Sequence, residues 1–235
     1  MSGFFGQDGI FNKIGSGIAD MMILGLLWTL ASLPLVTMGA ATTAVYYVNT
    51  KKASGKDAYL WRDFWQAFRR DFLLSTAVFL TLAAVLTLLV FNILNMGLVE
   101  VFGNFVLVLH FFILAELAFV ALYAFAIISR FQMGYVQIFK SAFLMANRHI
   151  FTTLSNLVLL AAIILLSWGV MPILGVFAMG IYSYYSSFLI VRIFKKYRPD
   201  LDPDEEPGEL APLRIDDNVL NLDKLNEIQS NKDTD

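Results

Sequence analysis

Cysteine is absent from the 235-residue chain, and histidine occurs only as His110 and His149. The first absence removes disulfides, thiolate catalysis and cysteine-based metal sites. The scarcity of histidine argues against a histidine-cluster metal site, and no cofactor is expected. Charge is scarce as well: charged residues make up 15% of the chain and hydrophobic residues 58%, against about 25% and roughly 45–50% for ordinary soluble domains. A soluble chain this apolar could not cover its surface with polar groups, so the excess has to face lipid. No H-E-x-x-H, G-x-S-x-G, P-loop or dinucleotide-binding glycine pattern occurs. The chain therefore reads as a non-enzyme that does not energise transport itself, and no nucleic-acid partner is expected.

The formal net charge of −2 combines two opposed parts. Residues 1–198 hold 14 Lys/Arg and 7 Asp/Glu, whereas residues 199–235 hold 3 and 12. This divides the chain into a basic transmembrane domain, 1–198, and an acidic, mostly disordered tail, 199–235. A short helix is expected in the tail around Val219–Ile228. Lys13 ahead of an apolar run suggests a secretory signal, but the run from Met21 to Val48 is too long for one and Pro34 interrupts it, so an uncleaved membrane segment is expected.

A spanning helix needs about 20 mostly apolar residues. Thirty uncharged residues separate Asp20 from Lys51, 28 separate Asp71 from Glu100, and 42 separate His149 from Arg192. The expected fold is an all-α membrane protein with about five transmembrane helices, near 20–48, 72–95, 101–128, 151–171 and 173–191, plus two cytoplasmic amphipathic helices. Lys51, Lys52, Lys56, Arg62, Arg69 and Arg70 lie in one connection, and Arg130, Lys140 and Arg148 in another. Arg192, Lys195, Lys196 and Arg198 follow the last span, and the intervening turns hold no Lys or Arg. This alternation places the basic loops and the C-terminus in the cytoplasm.

The first segment is broken at Pro34, because proline removes a backbone donor and disfavours helix at the preceding residue. A kinked single span is the first expectation and puts the N-terminus outside. A re-entrant pair of half-helices is the alternative and puts it inside. Residues 3–17 suggest a short interfacial segment. Small and hydroxyl residues across 31–47, and Ser183–Ser187 in the last span, suit close helix packing.

In the first basic connection Leu60, Phe64, Phe68 and Phe72 recur every four residues, flanked by Trp61 and Trp65, with Arg62, Asp63, Arg69 and Arg70 facing elsewhere. In the second, Tyr135, Ile138, Phe139, Ala142, Phe143 and Ala146 recur at helical spacing. The two share Q-x-F-[RK]-x-x-F-L, Gln66–Leu73 with Gln137–Leu144, at an offset of 71, which suggests a repeat of span, amphipathic helix, span. Both helices are candidates to lie on lipid headgroups. Trp61, Phe64, Trp65, Phe68, Arg69, Phe139, Phe143 and Arg148 are also candidate partner-docking residues, since aromatic and arginine anchors dominate buried interfaces. Glu116 lies midway along the third span, where a carboxylate is costly and marks a candidate functional site. His110 is a second intramembrane candidate, but at six residues' spacing it falls on another helical face.

Residues 31–47, ASLPLVTMGAATTAVYY, resemble the signature of the YesL-like family of bacterial membrane proteins, a domain of unknown function. Ser32, Leu33, Pro34, Thr37, Gly39, Ala44 and Tyr46 stand at its S-L-P-x-x-T-x-G-x-x-x-x-A-x-Y positions. The likeness continues at Asp63-Phe64, Phe68, Ser129-Arg130-Phe131, Arg148-His149 and Phe194-Lys195-Lys196-Tyr197. It brings no established catalytic or binding residues. Members of the family occur beside carbohydrate ABC importers in Gram-positive bacteria, so the resemblance implies an accessory subunit of such an importer in the bacterial plasma membrane, with the permease subunits as partners. An independent small-solute carrier using Glu116, or a membrane sensor acting through the tail, are the alternatives. Substrate and oligomeric state are not encoded in any motif.

Overall fold

The computed structural model describes residues 10–95, 103–169 and 174–197. The acidic tail and its expected helix lie outside the described residues, as does the start of the 3–17 segment.

The described residues form eight α-helices and no strand. They are α1 (Ile10–Ala31), α2 (Met38–Ala53), α3 (Leu60–Arg70), α4 (Phe72–Leu94), α5 (Gly103–Arg130), α6 (Tyr135–Arg148), α7 (Ile150–Gly169) and α8 (Leu174–Tyr197). Four of these, α4, α5, α7 and α8, are long and apolar enough to cross a bilayer. The protein is a multi-pass helical membrane protein. Its long helices turn Leu88, Phe91, Phe105, Phe112 and Trp168 outward, as lipid-facing surfaces require.

The expected kinked first span is instead a helical hairpin, with the paired half-helices of the alternative. α1 stops at Ala31, a 3₁₀ turn occupies Leu35–Thr37, and α2 then runs back along α1. Trp28 Nε1 donates to Thr42 Oγ1 at 3.0 Å, and Lys52 forms an ion pair with Asp20. A single kinked helix could not bring residues 20 and 52 together. Residues 10–17, expected to be interfacial, are the first turns of α1.

The depth of the hairpin follows from its contact with α4. A Cβ on Gly39 would lie 2.5 Å from the Ser75 carbonyl oxygen and 2.6 Å from Phe79 Cβ, so the start of α2 touches α4 at these residues. α4 continues from Phe79 to Leu94, a further distance of about 22 Å at 1.5 Å per residue. The tip therefore ends partway along α4.

α2 is the centre of the fold. It packs against α1, α3, α4, α5 and α8, and every residue from Gly39 to Thr50 except Thr42 is buried. Close approach is bought by glycine where α1 crosses α8: a Cβ on Gly25 would overlap the Phe177 backbone, and one on Gly180 would overlap the Met21 carbonyl. Small residues replace the hydrophobic effect as the basis of such contacts in lipid.

Each amphipathic helix follows a packed helix and leads into a long one after a single-residue break. α3 passes to α4 through Asp71, and α6 passes to α7 through His149, their N–H groups bonding the Ala67 and Met145 carbonyls. The order helix, amphipathic helix, helix thus occurs twice, as α2–α3–α4 and α5–α6–α7. Its register is not that of the shared octapeptide. The two breaks are 78 positions apart, and Gln66–Leu73 straddles a break whereas Gln137–Leu144 lies within α6.

Candidate functional site

The broken-helix motif explains itself at the hairpin tip. Pro34 cannot donate a hydrogen bond, and helix α1 ends three residues before it. Thr37 Oγ1 lies 2.5 Å from the Ala31 carbonyl and 2.6 Å from the Pro34 carbonyl, so the hydroxyl satisfies backbone freed by the break, as a membrane interior demands. Ser32 is buried, and Gly39 admits the α4 backbone. Leu33, Leu35 and Val36 are exposed around the tip.

Below the tip, α2 carries a chain of buried polar contacts. Thr43 shares a hydrogen bond with Ser75 at 2.8 Å, Asn49 Nδ2 donates to Ser183 Oγ at 2.7 Å, and Tyr46 meets Ser186 at 3.3 Å. Tyr123 receives a hydrogen bond from Thr153 at 3.2 Å. The Ser183–Ser187 stretch faces protein as expected, with Ser183, Ser186 and Ser187 all buried.

At the far end of α2 three cations meet carboxylates. Lys51 Nζ lies 2.9 Å from Asp63 Oδ2, Lys52 pairs with Asp20, and Arg70 Nη2 lies 2.6 Å from Asp71 Oδ2. Burial works against the charge of Arg70, but Asp71 more than offsets it and holds the guanidinium above its ordinary range. Arg70 also stacks over the Tyr47 ring at 5.0 Å and reaches the Ser129 carbonyl at 3.4 Å. Arg130, the last residue of α5, donates from Nε to Thr50 Oγ1 at 2.8 Å and from Nη2 to Ser54 Oγ at 2.9 Å.

The expected docking residues divide. Phe64 is fully buried against α2 and is part of the core, so it offers nothing to a partner. Asp63, expected to face away from the stripe, is buried beside it, where it accepts from Lys51 and from the Tyr59 N–H at 3.0 Å. Trp65 and Phe68 are half-buried in a ladder of ring contacts running from Trp61 to Phe72. Trp61 and Arg69 are exposed. On α6, Phe139 packs partly into the core, Phe143 is exposed, and Arg148 is half-buried at the helix end.

Glu116 is half-buried and accepts a hydrogen bond from Asn147 Nδ2 at 3.0 Å, which ties α5 to the end of α6. It also lines an open groove of about 420 Å³ between α4, α5 and α6, with Leu82, Val85, Leu117 and Phe139. Tyr135 and Thr81 share a 2.5 Å hydrogen bond on the same groove. His110 is not brought to this group; its Nδ1 lies 2.8 Å from the Val106 carbonyl one turn earlier. Among the described residues, no group of His, Asp and Glu is arranged to hold a metal ion.

The hairpin, α3 and most of α4 coincide with a known sequence family. Residues 21–93 match the family described as "Protein of unknown function, DUF624". The YesL-like family is a DUF624 family, so the match bears out the resemblance carried by Ser32, Pro34, Thr37 and Gly39. Comparisons with curated proteins and with solved structures return no match.

The residues that sequence reasoning missed are Asp63, Lys51 and Arg130 as partners of a buried helix end. The charges of all three were visible, but pairing across 12 and 80 positions carries no local signal.

Proposed function

We propose that this protein is an accessory membrane subunit of a carbohydrate ABC importer in the bacterial plasma membrane, packing against the permease subunits with its C-terminus in the cytoplasm. The observation that carries the docking half of this reading is the second apolar face of α6. That helix already buries Ile138, Ala142, Met145 and Ala146 in its own bundle, yet Val136, Phe143 and Leu144 are exposed on its other side. A helix apolar on both sides is built to be covered. Trp61 on α3 adds an exposed aromatic anchor. The absence of an energising motif and the association of YesL-like proteins with importers supply the transport half. The alternation of basic loops supplies the orientation.

The test is mild-detergent affinity purification of the tagged protein from its native membrane, followed by mass spectrometry. Two permeases and an ATPase in fixed ratio are expected, and Phe143→Glu should release them. Recovery of the protein alone, while the permease complex survives in control purifications, overturns the reading.

The groove at Glu116 favours a second reading, an independent small-solute carrier. It requires that the reconstituted protein move a solute unaided and that Glu116→Gln abolish the movement.

A further inference from the structure

Three of the four cations gathered at the end of α2 meet a carboxylate, and Arg130 does not. Lys51, Lys52 and Arg70 are matched by Asp63, Asp20 and Asp71. Arg130 bonds only to the hydroxyls of Thr50 and Ser54, and no carboxylate balances its charge among the described residues. Arg70 reaches the carbonyl of Ser129, the residue before it, so a second guanidinium stands beside the first. Arg130 is half-buried, and its Nη1 takes no partner among the described residues.

A half-buried guanidinium held by neutral hydroxyls is positioned without being neutralised. Leaving it so costs solvation, which the C-terminal end of α5 offsets in part and an anion would restore further. Its planar fork matches the oxygens of a phosphate group, and charge-assisted bonds of this type are the strong ones.

We propose that Arg130, with Arg70 beside it, forms a binding site for a phosphate group at the end of the α2–α5 contact. The phosphate comes either from an anionic lipid headgroup or from a soluble phosphate. Thr50 and Ser54 position Arg130 and need not touch the ligand. This site is separate from the docking face of α6, and its failure leaves the importer reading standing.

The full chain is placed in phosphatidylcholine nanodiscs and its unfolding temperature is measured alone, with inorganic phosphate added, and with phosphatidylglycerol in the bilayer. A rise of several degrees with phosphatidylglycerol only identifies a lipid headgroup, and a rise with inorganic phosphate identifies a soluble ligand. Arg130→Gln should abolish the rise while leaving the protein folded in phosphatidylcholine. Ser54→Ala, which loosens Arg130 without removing charge, should lower the baseline but keep the rise. Arg62→Gln, which removes an exposed charge on α3, should leave the rise intact. No rise with either probe, an equal rise in Arg130→Gln, or an equal loss in Arg62→Gln overturns the proposal.

Discussion

Thr37 and Asp63 show what single polar atoms do when the surrounding medium cannot solvate them. The Thr37 hydroxyl sits within hydrogen-bond distance of two carbonyls at the hairpin tip. Thr37→Val keeps the shape and removes the donor, so it should cost about 1 kcal/mol, the net worth of one part-buried hydrogen bond. Thr87→Val is the control, because that hydroxyl bonds only the Ala83 carbonyl on its own exposed helix face; its unfolding temperature in detergent should barely change. Asp63 accepts from Lys51 and from the Tyr59 N–H at once. Asp63→Ala removes a charged hydrogen bond and should cost about 2 kcal/mol. Lys51→Ala should then add little in the Asp63→Ala background, since both remove the same interaction. Additive losses in that thermal-stability cycle would show that the pair is not coupled.

The elements were legible in the sequence to different depths. Long apolar runs placed α4, α5, α7 and α8, the one in α5 despite His110 and Glu116, because length and composition are enough when the solvent is lipid. The periodicity of 60–72 and 135–146 placed α3 and α6, but not which side each turns inward. On α3, Phe64, Ala67 and Asp63 face α2, and an aspartate inside is invisible until Lys51 is known to lie opposite. Pro34 marked a break without saying how the chain continues. A kink and a reversal share the same local residues, and the decision lies in contacts made 14 and 32 positions apart, Trp28 with Thr42 and Asp20 with Lys52. The candidate site was legible only at the motif Ser32, Pro34, Thr37 and Gly39; the neighbours of Arg130 come from the end of α2 and from α3. The α1–α8 contact offers a sharp test at this scale. Gly180→Leu drives a side chain into the Met21 carbonyl, and overpacking costs typically 1–3 kcal/mol. A marked fall in unfolding temperature is expected, against little change for Gly15→Leu, which has open space around it.

For the whole molecule, the reversal at residues 32–37 fixes the parity of the chain. The hairpin returns to the side on which it starts, since Asp20 and Lys52 are paired, and four long helices follow. Whatever the depth of the hairpin, the number of crossings is even, whereas a kinked single span would make it odd. If all four cross, the start of α1 and the end of α8 lie on the same side of the membrane as the 54–57 connection, and the end of α4 lies on the other. The absence of cysteine makes this directly measurable, because each introduced thiol is the only one present. Single-cysteine variants Ser2→Cys, Asp57→Cys and Ser230→Cys should react together with an impermeant maleimide only after the membrane is opened from the cytoplasmic side. Asn95→Cys should react in intact cells. If Ser2→Cys labels with Asn95→Cys instead, the first segment crosses the membrane once, the Asp20–Lys52 pair does not form there, and the hairpin is refuted. Labelling of Ser2, Asp57 and Ser230 together from outside would keep the hairpin but invert the orientation read from the basic loops.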